Sequence, residues 1–401
     1  MRTVTGATTS VELREHNRAR LLRAVHDCGA SRTRSQLTKD LDLARGTASV
    51  LVTALSEDHL LHEEPSAEHG RGRPTQVPGP HRDGPIALAV DLREDGWEIA
   101  ACELGGRSTP LAARPHDGTA EGAFTPLAGA LRAGLERYGS RTIGIGLAVP
   151  GPVRDGRLVE VSHLGWHAVD ARARLAASGV PAGTALHVGN DTAFAALAEA
   201  RRGRMAGVRV GLHLHVDFDL GGVLVVDGRP LGGATGVGAE FGHMPLTGSA
   251  VPCPCGATGC WGMEVGANAL LRHLGLAAGG GRGRDQAQAI LARDAEGDPE
   301  AAAAVGAGAR ALGRGIAALV NAHDPEIVTL SGLGVELFTQ GRAALSEGFL
   351  AGLMRIRAER LPELVPSELG WSGALLGAME SVFDAFLTPE GLRSWNPRAR
   401  P

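Results

Sequence analysis

Aromatic residues make up only 3% of the 401 residues, and tyrosine occurs once. Buried cores must therefore be assembled from Val, Leu, Ile and Ala. Lysine is nearly missing too: Lys39 stands alone, so arginine carries the positive charge. No run reaches 18 uninterrupted apolar residues, and the N-terminus lacks the charged-then-apolar pattern of a secretory signal. The chain thus reads as cytoplasmic, and five cysteines do not suit a disulfide framework there. Strong charge is also lacking. The net charge is −4, with residues 1–80 at +1 and the remainder at −5. That balance excludes wholesale polyanion binding by the large C-terminal part.

The length is too great for one ordinary core and points to two or three domains. Residues 65–84 are rich in Pro, Gly and charge without an apolar period, the mark of a wing or linker. Strand-like apolar runs follow at 85–90, 142–149, 185–188, 208–215, 223–226 and 327–330. Helical stretches at 192–204, 301–323 and 373–387 lie between or after them, giving an α/β architecture. Residues 277–284 read as a surface loop, 393–401 as a loose tail, and no repeat array is visible.

The N-terminal segment has a rhythm of its own. Leu13, Leu21, Leu22 and Val25, with arginines between them, make a helix with a basic outer face. Thr33 to Gln36 spells a capping box that starts a short second helix. A turn at 42–44 leads to a third helix from Arg45, with Val50, Leu51, Ala54 and Leu55 expected on its inner side. Arg45, Thr47 and Ser49 are left outside at its N-terminus. Two helices joined by a three-residue turn, the second offering Arg and hydroxyls, match a DNA-reading helix-turn-helix. Arg71 and Arg73, flanking Gly72, form a slim basic finger suited to phosphate or minor-groove contact. A three-helix interaction domain with a solvated basic face is the plainer reading of the same pattern.

His243, Cys253, Cys255 and Cys260 gather one imidazole and three thiols in a short span. Four N/S ligands closing on one tetrahedral ion is the pattern of structural zinc, one per chain. Clustered free thiols are the alternative, and they would be an oxidation liability in a cytoplasmic loop.

With these motifs the chain resembles the ROK family of repressors and sugar kinases. The resemblance rests on the winged helix with GRGRP at 70–74, AVPGP at 148–152 and HLGW at 163–166. It continues through GNDTAFAALAE at 189–199, GAEFGH at 238–243, CPCGATGC at 253–260 and DPEIVTLSG at 324–332. It implies a winged helix-turn-helix followed by a two-lobed, actin-like ATPase fold of the sugar-kinase type. The implied divisions are 1–78 for DNA binding, 79–84 as linker, 85–200 and 201–392 as the two lobes, and 393–401 as tail. The C-terminal helix would return to the first lobe.

By the same resemblance, Asn190 and Asp191 match a pair that binds sugar hydroxyls, the aspartate being the base in kinases. Glu240 matches a sugar-binding carboxylate, and His243 a histidine touching sugar with one nitrogen and zinc with the other. A further glutamate expected at 262 is replaced by Gly262, leaving Glu264 as the candidate substitute. His163 replaces an expected asparagine.

The family's kinases carry Asp-x-Gly-Gly-Thr at the first strand turn, where this chain reads Asp91-Leu-Arg-Glu-Asp95. The second phosphate loop reads Asp217-Phe-Asp-Leu-Gly-Gly222, and the third, Ser331-Gly332, keeps one glycine. Backbone amides reach phosphates only where glycine permits close approach. Misplaced carboxylates beside a phosphate each cost a few kcal/mol, of order 1–4. The sequence thus reads as a DNA-binding transcriptional regulator, a repressor relieved by a sugar-type effector, with double-stranded DNA as partner and a homodimer or homotetramer as assembly. It is not expected to be an enzyme. A sugar kinase or bifunctional kinase-regulator is the alternative.

Overall fold

The computed structural model describes residues 10–65, 75–248, 250–276 and 283–395. At the N-terminus, α1 (Ser10–Asp27), α2 (Arg34–Asp40) and α3 (Arg45–Glu57) precede a hairpin of β1 (Leu61–Pro65) and β2 (Gln76–Pro80). The Thr33–Gln36 capping box forms as expected, whereas Ala44 leaves α3 without a side-chain cap. The inner face of α3 is Ala48, Leu51, Val52 and Leu55. Val50 belongs instead to the outer face, where it is 55% exposed. One turn of helix separates Val50 from Ala54, but burial at 48, 51, 52 and 55 sets the stripe one step round from that pair. β2 lies in the 65–84 stretch expected as wing or linker, makes a wing hairpin with β1, and runs two residues into the linker expected at 79–84. Its prolines are tolerated because the hairpin is a two-stranded edge.

The first lobe holds β3 (Ile86–Leu92), β4 (Gly96–Glu103), β5 (Ser108–Pro115), α4 (Ala120–Tyr138) and β6 (Thr142–Val149). A small sheet of β7 (Val153–Arg154), β8 (Arg157–Val161) and β9 (Trp166–Asp170) follows, then α5 (Ala171–Ala177), β10 (Leu186–Asn190) and α6 (Asp191–Arg202). The second lobe holds β11 (Val210–Val216), β12 (Leu220–Val226), β13 (Arg229–Pro230), α7 (Ala267–His273), α8 (Arg284–Ala295) and α9 (Pro299–His323). It ends with β14 (Ile327–Gly332), α10 (Gly334–Gln340), α11 (Arg342–Gly352) and β15 (Glu363–Pro366). α12 (Gly373–Phe386) and α13 (Pro389–Ser394) complete the chain.

The two main sheets repeat one design. Their orders are β10-β6-β3-β4-β5 and β13-β12-β11-β14-β15. In each, an antiparallel three-strand meander is extended by two parallel strands beyond its first strand. This duplicated α/β architecture is the actin-like sugar-kinase fold. α9 is long and apolar, and 67% of its most apolar window is buried, so it serves as the second lobe's core helix.

α12 returns from the second lobe to pack on β6, β3 and α6 of the first. Two glycines make that fit possible. A Cβ on Gly377 would collide with the Phe194 carbonyl oxygen, and one on Gly146 with that of Ala378. α12 also shares one continuous core with the N-terminal unit: Leu21, Val25 and Leu55 cluster with Met379, Val382 and Phe383. Residues 393–395 are not loose. Arg393 pairs with Glu15 at 2.6 Å, and the Trp395 indole donates to the Asp58 carbonyl at 2.8 Å.

Candidate functional site: an acidic interlobe cleft beside a Cys3His cluster

A cavity of about 140 Å³ opens between the lobes. It lies outside the carboxyl ends of β6 and β10, where open α/β sheets place their ligands. Asn190 ends β10 and caps α6: its side-chain oxygen accepts from Ala193 N–H at 3.0 Å, while its amide donates to the Gly151 carbonyl at 3.0 Å. Both of its polar atoms are thus engaged. Asp191 opens α6 and accepts at Oδ1 from Thr192 N–H at 2.5 Å and from the Thr192 hydroxyl at 3.2 Å. Lost hydration lifts its pKa to about 7, and the carboxylates of Asp91 and Asp217 push the same way against the Thr192 hydrogen bonds.

Glu94, from the β3–β4 turn, lines the same cavity. Its pKa is pushed up to about 8 by lost hydration and by Asp217 and Asp191. Across the cleft, His163 Nε2 lies 2.7 Å from Asp219 Oδ2, and this hydrogen bond raises the His163 pKa despite burial.

The phosphate-loop positions are organised differently from the expectation of bare charge. Arg284 Nε donates to Asp217 Oδ1 at 2.9 Å, its second nitrogen bonds Oδ2, and a third lies 3.5 Å from Asp95. The guanidinium rests over the Trp371 ring at 4.6 Å. Arg93 in turn pairs with Asp91, Asp95 and Glu98 at 3.1–3.4 Å. Asp95 and Asp217 are therefore neutralised by arginine. Phe218 points into the second lobe's core, where it is 1% exposed. No local signal marks Arg284, which opens α8 at the edge of a glycine-rich stretch expected to be a surface loop.

Glu240 and His243 stand on the far wall, with His243 Nε2 4.0 Å from Glu240 Oε2. The other ring nitrogen, Nδ1, faces Cys253 Sγ at 3.6 Å, and Cys255 Sγ lies 3.7 Å from Cys260 Sγ. All four donor atoms fall within 4.8 Å of one another. Tetrahedral zinc with bonds of 2.0–2.3 Å needs donors about 3.3–3.8 Å apart. The set fits such an ion with little movement.

Glu264 lies outside the cavity lining and faces Arg314 at 3.8 Å. A Cβ at Gly262 would sit 3.6 Å from the Asp219 Cβ, so the position that lost its carboxylate is the one beside the cleft. On the N-terminal unit, Arg45, Thr47 and Ser49 are all exposed on one end of α3. Arg71 and Arg73 lie outside the described residues.

The ROK family model matches residues 107–384. The kanosamine kinase of Amycolatopsis mediterranei is 31% identical over 264 residues, covering 65% of this chain and 84% of its own. The xylose repressor of Bacillus subtilis is 24% identical over 251 residues, covering 61% of this chain and 62% of its own. Among solved structures, a ROK family transcriptional regulator, a homologue of the E. coli MLC protein, superposes with a TM-score of 0.71 at 23% identity. That likeness covers 94% of this chain and 98% of the other.

Proposed function

Since the chain belongs to the ROK family, whose members here include both repressors and sugar kinases, we propose that it is a DNA-binding transcriptional regulator whose affinity for its operator is set by a sugar-type effector in the interlobe cleft. The observation that carries this reading is the exposed N-terminal end of α3, bearing Arg45, Thr47 and Ser49 on a winged-helix unit that shares its core with the catalytic-type fold. By superposition the regulator likeness spans 94% of the chain and a ROK glucokinase likeness 74%. The reading is of a cytoplasmic repressor relieved by its ligand, with Arg71 and Arg73 as wing contacts and a homodimer matching a palindromic operator.

Within the cleft, Asp191, Glu240 and His243 are the proposed ligand contacts, with Asn190 holding the Gly151 turn and the start of α6. Zinc on His243, Cys253, Cys255 and Cys260 would fix the loop that presents Glu240. Phosphoryl transfer is not proposed. Arg284 and Asp217 fill the place where nucleotide phosphates would need free amides. The kinase alternative keeps two arguments, the presence of Asp191 and the kinase relatives.

The test is binding of the full-length protein to DNA from its own promoter, with and without a sugar panel. Arg45→Ala should cost about 1–3 kcal/mol at a specific site if it reads a base edge. Unchanged binding by Arg45→Ala and Thr47→Ala, on DNA that the parent recognises specifically, would overturn the reading.

A further inference from the structure

A second set of metal-type donors lies outside the interlobe cavity, where the N-terminal unit runs into the first lobe. His59, His81 and Asp83 each bring a ligand atom within 4.8 Å of the others, and all three side chains are partly exposed. His59 follows α3, while His81 and Asp83 belong to the turn between β2 and β3. The His59 and His81 rings stack at 4.6 Å, and the His62 ring of β1 stands edge-on to His81 at 6.3 Å. Asp83 has Arg82 at 3.4 Å, but that arginine is 90% exposed, so the pair is weak and open to displacement.

The backbone supplies a second observation. His59 has a φ of 56°, one residue beyond the α3 cap Asp58. Its N–H donates to the Ser56 carbonyl at 3.0 Å, and the Leu60 N–H to that of Leu55 at 2.9 Å. These are the two bonds of a Schellman ending, and His59 takes the position where glycine is usual, because a β-carbon is strained there. Histidine is costly at that point, and what it adds is an imidazole laid against His81. Gly84 lets the turn come this close: a Cβ there would meet the His81 carbonyl oxygen at 2.9 Å and that of His59 at 3.2 Å. His81 Nδ1 accepts from Asp83 N–H at 3.0 Å, so this nitrogen carries a lone pair. Burial and the neighbouring His59 push the His81 pKa down and keep the ring neutral, the form that binds metals.

We infer that His59, His81 and Asp83 form a second metal site, open and exchangeable, for a dication of the zinc, cobalt or nickel class. Two imidazoles with one carboxylate suit those ions, whereas magnesium and calcium prefer oxygen alone. Bonds of about 2.0–2.2 Å draw such donors to roughly 3–4 Å apart, a shift within reach of partly exposed side chains. Parallel rings do not aim two lone pairs at one point, so binding turns one ring and takes the His81 lone pair from the Asp83 amide. Three protein ligands leave room for water, unlike the closed Cys3His set, and His62 is the candidate fourth. An ion here ties the end of α3 to the turn that leads into β3, and so the N-terminal unit to the first lobe. The inference stands apart from any ligand in the cleft.

The experiment is equilibrium dialysis of the full-length protein against CoCl2, after zinc has been supplied to fill the Cys3His set. One further cobalt per chain should be retained, without a thiolate-to-cobalt charge-transfer band, and excess MgCl2 should not displace it. His59→Gly and His81→Ala should each lose this equivalent, and His167→Ala, at an exposed histidine elsewhere on the first lobe, should keep it. His59→Gly separates ligation from folding. Glycine relieves the left-handed backbone, so without metal this variant should melt at or above the parent. Cobalt should raise the melting temperature of the parent and leave that of His59→Gly unmoved. A parent that retains no cobalt, or retention undiminished in both histidine variants, would overturn the inference and leave the rings as a stacked pair. Loss of the extra equivalent in Cys255→Ser, with both histidine variants keeping it, would overturn it in favour of the thiolate cluster.

Discussion

His26 on α1 lies 3.2 Å from Glu380 on α12, and both side chains are completely buried. Arg202, the last residue of α6, joins them: its Nε donates to Glu380 Oε1 at 2.5 Å and another nitrogen lies 2.8 Å from His26 Nε2. His26 Nδ1 in turn accepts from Gly105 N–H on the first lobe at 3.1 Å. One helix therefore has Asp191 in the cleft at its first residue and Arg202 against the N-terminal unit at its last. A 12-residue helix of this kind spans about 18 Å. If the sugar-effector reading holds, movement of its N-terminal end would reach α1 through this buried ionic contact.

Breaking that contact should be costly. Burial alone would raise the Glu380 pKa, but the His26 hydrogen bond and the Arg202 charge outweigh it and hold the pKa below the usual value. Glu380→Ala strands a buried arginine and should lower stability by about 3–5 kcal/mol, read as a denaturant midpoint. The Glu380 contribution is present above about pH 4.5 and fades as pH falls through the depressed value. Arg202→Met should separate the functions, retaining ligand binding and DNA binding while the ligand no longer changes DNA affinity. A full response in Arg202→Met would show that α6 is not the coupling element.

Asp191 and Glu94 carry the opposite sign. Their folded pKa values, about 7 and about 8, stand above those of the unfolded chain. The folded state thus holds more protons between pH 4 and 8, and stability is lost as pH rises through this window. Asp191→Asn and Glu94→Gln should each raise the melting temperature at pH 8, by an amount worth on the order of 1–3 kcal/mol, and leave it unchanged near pH 4. Equal melting temperatures for parent and variants at pH 8 would mean that these carboxyls are hydrated and unstrained.

The zinc assignment makes its own prediction. Elemental analysis of purified protein should give one zinc per chain, held by His243, Cys253, Cys255 and Cys260. Cys255→Ser or strong chelation should lower the second lobe's melting transition and blunt any ligand response, because Glu240 lies three residues from His243. DNA binding without ligand should persist.

Val50 lies outside although its i,i+4 pairing with Ala54 predicts it inside α3. It stands on the exposed face with Arg45, Thr47, Ser49 and Thr53. An apolar side chain there suits the methyl group of thymine in a major groove. Val50→Ala should weaken binding to operators with thymine at one position by about 1 kcal/mol and spare the same operators with uracil. A uniform loss across sequences would assign it to packing instead.

The fold's outline and the site's cast were legible because they are local. The capping box and the Asn/Asp pair at the start of α6 each sit within a few residues of chain, and the Cys3His set runs only from 243 to 260. What escaped depends on distance. Arg284 reaches Asp217 across 67 residues and Asp95 across 189, and nothing in its glycine-rich setting marks it. His26, Arg202 and Glu380 stand 176 and 178 residues apart, and nothing local to any of them announces the other two. The duplication of the two sheets was invisible because it is a repeat of strand order rather than of residues. The wing hairpin was legible, but β2 extends two residues into the expected linker because β1 goes on pairing with it as far as Pro80 despite its prolines.

The remaining prediction concerns catalysis. Kinase relatives and an Asp191 base argue for sugar phosphorylation, but phosphoryl transfer is mostly positioning and charge neutralisation of the nucleotide. The turn after β3 presents Glu94 and Asp95 instead of glycine amides. The turn after β11 presents Asp217, already bonded by two nitrogens of Arg284. Phosphates would have to displace that guanidinium from Asp217 and Trp371 and then approach an uncovered carboxylate. Removing Arg284 alone cannot help, since Asp217 would be left bare. Equilibrium binding of a labelled ATP analogue should therefore be undetectable at millimolar concentration, for the parent and for Arg284→Ala alike. A coupled assay with ATP and the sugar panel should stay at background. Sugar-dependent ATP turnover that disappears in Asp191→Asn would restore the bifunctional kinase-regulator.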